Sequence, residues 1–116
     1  MSTIDDRTRL HHMRDAAIEA ISFIEGYSRD DLESDRRSVL ALVKAIEIIG
    51  EAANRISKDC QNRHSQMPWA DIIGMRNRLV HAYFDIDLDI VWQVATHDLP
   101  LLLTEIESII ASETDA

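Results

Sequence analysis

The stretch Arg76-Asn77-Arg78-Leu79-Val80-His81-Ala82-Tyr83 puts two arginines, an amide, a histidine and a tyrosine within eight residues. Histidine moves protons near neutral pH. Arginine holds a phosphate through two parallel hydrogen bonds. Together these groups suffice to break a phosphodiester without a metal. An arginine and a histidine five apart are a weak signal by themselves. Arg76 and Arg78 can equally pair with Glu47, Glu51 or Asp85 and tie helices together. His81 can equally be a half-buried, hydrogen-bonded histidine.

The elements that must hold these residues read as helices. A first helix is expected from about Ile4 to Gly26, capped by Ser2 or Thr3, with Asp5 and Asp6 at its positive end. Leu10, Met13, Ala17, Ile21 and Ile24 form its core stripe. His11 and His12 lie beside that stripe as solvated or packed side chains. A polar connector follows, from Tyr27 to Ser34. The second helix, from about Asp35 to Ser57, is apolar on two sides. Such a helix is central in its own bundle or shared with another copy. Gly50 should permit a close helix crossing, and Glu47, Glu51 and Arg55 form a charged row able to orient an arginine of the motif. Lys58 to Met67 is aperiodic and reads as a loop, in which Cys60 and His64 are too few to bind a metal. Pro68 opens a third helix that carries the motif to Tyr83 or Phe84. Phe84 to Asp87 is a turn, with Asp87 as cap for a fourth helix. Pro100 should kink that helix near Thr96 or His97. Ser112 to Ala116 reads as a frayed acidic tail.

On a regular third helix, Ile72, Met75 and Leu79 face the core, and the motif's polar groups lie opposite. Ile73 and Val80 would then stand in water, which predicts a second copy covering them. Arg76 and His81 would point about 140° apart at 100° per residue. Their convergence requires arginine's reach, a distorted helix end or the second subunit.

The chain has 116 residues, one cysteine and five glycines and prolines together. It reads as a single all-α domain over 1–116. A formal charge of −9 argues against gripping long duplexes, yet permits a small basic site on an acidic body. No apolar signal region and no bilayer-length apolar run is present, so a cytoplasmic protein is expected, with no membrane partner.

The motif gains specificity from its flanks. Ile48-Ile49-Gly50-Glu51-Ala52-Ala53, Pro68-Trp69, Ile72-Ile73-Gly74-Met75, Tyr83-Phe84, Leu88-Asp89-Ile90-Val91-Trp92 and Asp98-Leu99-Pro100 stand around it in an order and spacing that resembles the HepT family. HepT proteins are toxins of the HepT–MntA toxin–antitoxin modules and belong to the HEPN superfamily. The resemblance implies an up-and-down bundle of four main helices, dimeric, with the site in the cleft between subunits. It implies a metal-independent endoribonuclease with no cofactor, in which Arg76, Asn77 and His81 match the HEPN signature. It also implies that Tyr83 is the residue to which an MntA-like nucleotidyltransferase attaches AMP.

The chemistry of the residues agrees. RNA carries its own nucleophile, the 2′-OH. An enzyme must deprotonate it, neutralise the phosphate and protonate the leaving oxygen. His81 suits the proton transfers and Arg76 the non-bridging oxygens. Asn77 can orient His81 or the ribose, and Arg78 can add a phosphate contact. Two other classes compete with the ribonuclease: a non-catalytic HEPN module partnering a minimal nucleotidyltransferase, and a purely structural helical dimer.

Overall fold

The structure, a computed structural model, describes residues 5–82 and 84–114. Its frame is three long helical segments. The first, α1, spans Asp6–Phe23. Asp5 caps it by accepting from Thr8 N–H at 2.8 Å, one turn later than the expected cap, whose candidates Ser2 and Thr3 lie outside the described residues. Gly26 adopts φ +78°, a left-handed conformation that suits glycine, and turns the chain three residues after the helix ends. The polar connector then holds one short helical turn, α2 (Asp31–Ser34), with Leu32 buried.

The second long helix, α3, spans Arg36–Arg55. Asp35 caps it through Ser38 N–H, while Tyr27 and Ser38 hydroxyls donate to its other oxygen. These hydrogen bonds, that of Tyr27 first, hold the Asp35 carboxyl below its ordinary value. One face of α3 packs on α1. The other is covered within the same chain by α5 (Trp69–Ile73), α6 (Met75–Leu79) and α7 (Leu88–Gln93). Of the second apolar stripe, Ala45 and Ala52 are buried within this chain, Ala41 is half-buried and Ile48 stays exposed. Ile73 and Val80 also depart from expectation: both are half-buried against this chain's own core.

Two further expectations fail. Lys58–Arg63 is a helix, α4, rather than a loop, because Ser57 caps it by accepting from Cys60 N–H. Asp6 in turn holds Ser57 through both its N–H and its hydroxyl. The third helix is not one helix. It breaks at Gly74 and ends at Leu79, after which β1 (Val80–Ala82) pairs antiparallel with β2 (Asp85–Ile86). Val80 sits opposite Ile86, and Ala82 opposite Asp85.

The last helix follows the expected course from Asp87, whose side chain caps α7 by accepting from Asp89 and Ile90 N–H. It continues through a widened π turn, Val94–Asp98, into α8, Leu99–Thr114. The π turn lies where Pro100 was expected to disturb the helix. Proline has no N–H to give Thr96, and its ring crowds that carbonyl. α8 runs to Thr114, and Glu113, in the segment expected to fray, pairs with Arg63 and His64, while Asp115 and Ala116 lie outside the described residues. Among the described residues, no helix is long and apolar enough to cross a membrane.

Gly50 lies where α3 crosses α5. A Cβ there would stand 3.1 Å from the Ile73 carbonyl oxygen and 3.3 Å from that of Ile72. Alanine would gain about 1 kcal/mol in helix propensity. It would also press against backbone that cannot rotate away, at the end of the helix leading into the motif. Gly50→Ala is expected to leave the melting temperature unchanged or lowered despite that gain, and Gly50→Val to lower it clearly. Thermal denaturation by circular dichroism measures both.

Candidate active site

The motif occupies a change of backbone. Over five residues, α6 turns Met75 and Leu79 into the core, at 4% and 0% exposure. This leaves Arg76, Asn77 and Arg78 on its outer side. Val80 then adopts φ −125° and ψ 111°, and the chain becomes extended. In β1 the side chains alternate, so His81 is exposed between the half-buried Val80 and Ala82. The 140° separation calculated for a continuous helix therefore does not apply. The helix ends between Arg76 and His81. The structure sets Arg76, Asn77 and Arg78 on one short helix and His81 on the adjoining strand. Tyr83 lies outside the described residues.

Each of the three basic groups faces an acid from a different element. Arg76 Nε is 3.8 Å from Glu47 Oε2 on α3. Arg78 is 3.9 Å from Asp98 Oδ2 in the π turn. His81 Nε2 is 3.7 Å from Asp87 Oδ2 at the start of α7. None of these is a close hydrogen bond. Arg76, Arg78 and His81 retain 41%, 49% and 58% side-chain exposure. Exposed pairs of this kind contribute about 0–1 kcal/mol each. They leave the three side chains largely exposed to solvent. Asn77 is exposed beside them.

Glu47 fulfils the expectation that the charged row on α3 orients a motif arginine. Lys44 shares its carboxylate at 3.3 Å. Asp87 was expected only as a helix cap. Its Oδ1 does cap α7, but its N–H also donates to the Leu79 carbonyl at 2.7 Å, and its Oδ2 faces His81. Asp98 was not foreseen as a partner of Arg78. Its signal was Pro100 two residues on, since the proline widens the turn that presents it. An open groove of about 290 Å³ runs beside Arg78 and Asp98, floored by Met67, Ile72, Met75 and Leu102. Elsewhere, Cys60, His64 and Glu113 converge with their ligand atoms within 4.8 Å of one another.

The profile of the family described as "Ribonuclease HepT-like" matches residues 13–109. This chain belongs to the HepT-like family. It is 35% identical over 107 residues to a protein of Thermococcus cleftensis named as a probable ribonuclease HepT, covering 89% of this chain and 96% of that one. It is 33% identical to a provisionally named RNase of Caldanaerobacter subterraneus, over 92% of this chain and 96% of the relative. A provisionally named RNase of Methanocaldococcus jannaschii is 30% identical over 94% of this chain and its own full length. No solved structure matches. The largely helical fold agrees with that family.

Asp87 can be tested apart from its capping role. Asparagine caps helices as well as aspartate, whereas alanine at a cap costs about 1 kcal/mol. Asp87→Asn should therefore hold the melting temperature and lower RNA cleavage about fivefold, the equivalent of roughly 1 kcal/mol from an exposed pair. Parallel melting curves and cleavage assays measure the two effects.

Proposed function

We propose that this HepT-like RNA endonuclease cuts by attack of the 2′-oxygen on the adjacent phosphorus, without a metal, and serves as the toxin of a cytoplasmic toxin–antitoxin pair. The observation that supports it most is the exposed His81, backed by Asp87 and following the outward arginines of α6. Neutral His81 takes the 2′-OH proton. The 2′-oxygen forms a bond to phosphorus as the bond to the 5′-oxygen breaks, and the departing oxygen takes a proton. The products carry a 2′,3′-cyclic phosphate and a 5′-OH. Arg76 and Arg78, loosely held by Glu47 and Asp98, turn their free donors to the non-bridging oxygens. Asn77 orients the ribose or His81. DNA lacks the nucleophile and is spared.

The reading extends to a two-fold dimer that encloses this exposed site in a cleft, and to an MntA-like nucleotidyltransferase that silences it by attaching AMP to Tyr83. Tyr83 follows His81 by two residues. A phosphate tethered there would compete for Arg76 and Arg78 as substrate does. The second reading, a non-catalytic HEPN module that partners a nucleotidyltransferase, predicts no cleavage under any condition.

Incubation of the purified protein with RNA in EDTA separates these readings. Cleavage should persist in EDTA and yield cyclic-phosphate ends. His81→Ala and Arg76→Ala should each reduce it by about 10²–10⁴-fold with the helical spectrum retained. Intact RNA with the unsubstituted chain, or unchanged cleavage by the His81 variant, would refute the catalytic reading.

Regulation has a separate test. Tyr83→Phe should still cut RNA but gain no mass when incubated with the nucleotidyltransferase and ATP. The unsubstituted chain should gain AMP and lose activity. Modification mapping to another residue would overturn the role given to Tyr83.

A further inference from the structure

The end of the bundle where α4 meets the tail of α8 carries a second cluster, sharing no residue with the site above. Cys60 lies on α4, and His64, at φ −123° and ψ 51°, is the residue that ends it. Glu113, from the final turn of α8, reaches over them. Its Oε2 lies 2.8 Å from His64 Nε2. Cys60 is fully buried and His64 is 8% exposed, while the Glu113 side chain is 20% exposed and forms the outer wall.

We propose that Cys60, His64 and Glu113 form a binding site for a zinc ion, with water at the fourth position. The donor set is one thiolate, one imidazole and one carboxylate. Zinc takes all three types, and three protein ligands plus an open position is a common zinc arrangement. Two donors on a tetrahedral zinc stand roughly 3.3–3.7 Å apart, given bonds of about 2.0–2.3 Å. The three ligand atoms already lie within 4.8 Å of one another, so shifts of about 1 Å assemble the site.

The helix that supplies two of the ligands is held from several sides. Asp6 fixes Ser57, and Ser57 accepts from Cys60 N–H. The buried Gln61 amide donates to the Ala53 and Ile56 carbonyls at the end of α3. Trp69 Nε1–H donates to the carbonyls of both Gln61 and His64. The ligand positions are thus fixed before any ion arrives, which lowers the cost of binding.

The carboxylate is also prepared. Arg63 donates to Glu113 Oε1 at 2.7 Å and to Oε2 at 3.3 Å. On binding, Oε1 stays with the guanidinium and Oε2 turns to the metal, the kind of outer hydrogen bond that orients a ligating carboxylate. The other charges that face the cluster are Arg63 and Asp6. Thiolate and carboxylate neutralise the ion, and Asp6 offsets Arg63. Zinc exchanges the Cys60 S–H proton for a Zn–S bond and releases that proton to solvent. Zinc likewise displaces the Nε2 proton that His64 shares with Glu113, and His64 then binds through Nε2 with the other ring nitrogen carrying the N–H.

Without metal, burial pushes the Cys60 thiol up, and the neighbouring Glu113 and Asp6 charges add to the effect. The apo cluster is a neutral thiol beside a Glu113 held low by Arg63 and His64. Zinc here would fasten the last turn of α8 to α4, and through Trp69 to the start of the chain segment that leads to the motif. It shares no residue with the proposed cleavage site.

The full-length protein, stripped of metal and titrated with cobalt(II), tests this. One equivalent should produce the near-ultraviolet thiolate-to-cobalt band with the intense visible bands of a tetrahedral site, and zinc should bleach both. Cys60→Ala should abolish the thiolate band. Glu113→Gln should weaken binding at least tenfold, with helical content unchanged. Dialysis against zinc should leave one ion per chain, with a raised melting temperature. Absence of the thiolate band together with no retained zinc would overturn the proposal and leave an Arg63–Glu113–His64 clamp. Zinc retained equally by the Cys60 and Glu113 variants would also overturn it, since the ion would then sit elsewhere.

Discussion

A helix of five residues cannot hold itself together, and the site depends on one that does. Isolated helices below about 12 residues are marginal in water. What keeps α6 is burial of Met75 and Leu79 at its two ends, together with the 2.7 Å hydrogen bond from Asp87 N–H to the Leu79 carbonyl. Burying a side chain of this size contributes about 1.5–3 kcal/mol. The two inward anchors also dictate what lies between them. With Met75 and Leu79 four apart and inside, residues 76–78 have only the outer side left. The polar triplet is thus presented by its hydrophobic neighbours. The hydrogen bond that ends the helix returns Asp87 to the base of the strand that carries His81.

The electrostatics follow the same economy. A chain of formal charge −9 could quench a small basic site outright. Instead its acids meet the motif one to one, at 3.7–3.9 Å, from three elements that are each anchored elsewhere. A closer fork, as between Arg63 and Glu113, would occupy the donors that a phosphate needs. The two arrangements differ in what they achieve. The Arg63–Glu113 contact fastens one element to another. The motif contacts set a direction at little energetic cost and leave the cations open.

The long helices were legible because burial on one or two faces writes a 3.6-residue period into the sequence. Leu10, Met13 and Ala17 on α1, and Leu42, Ile46 and Ile49 on α3, follow it and are buried. The close crossing at Gly50 was legible too, since glycine inside a helix weakens it unless a neighbour needs the space. Three features were not. Lys58–Arg63 is too short and polar to show periodicity, and its stability comes from Ser57, Gln61 and Asp6, which act through tertiary contacts. The β-hairpin was missed because Leu79, Val80 and Ala82 also fit a helical wheel. Only the pairing with Ile86 and Asp85 favours the extended form. Glu113 was missed as a partner of Cys60 and His64 because it stands 49 residues from His64, a distance no local pattern spans.

α1 and α3 run as regular helices, and the irregular backbone gathers along the side that carries the motif: the break at Gly74, the exit to strand at Val80 and the π turn before Pro100. Each irregularity has a positional consequence. Ending the helix at Leu79 lets His81 leave the helical wheel that would have turned it away from Arg76. Widening the turn at Val94–Asp98 brings Asp98 to face Arg78. A sequence whose local preferences all agreed would have made a straighter third helix and a smoother fourth. It would also have left Arg76 and His81 about 140° apart on one helix.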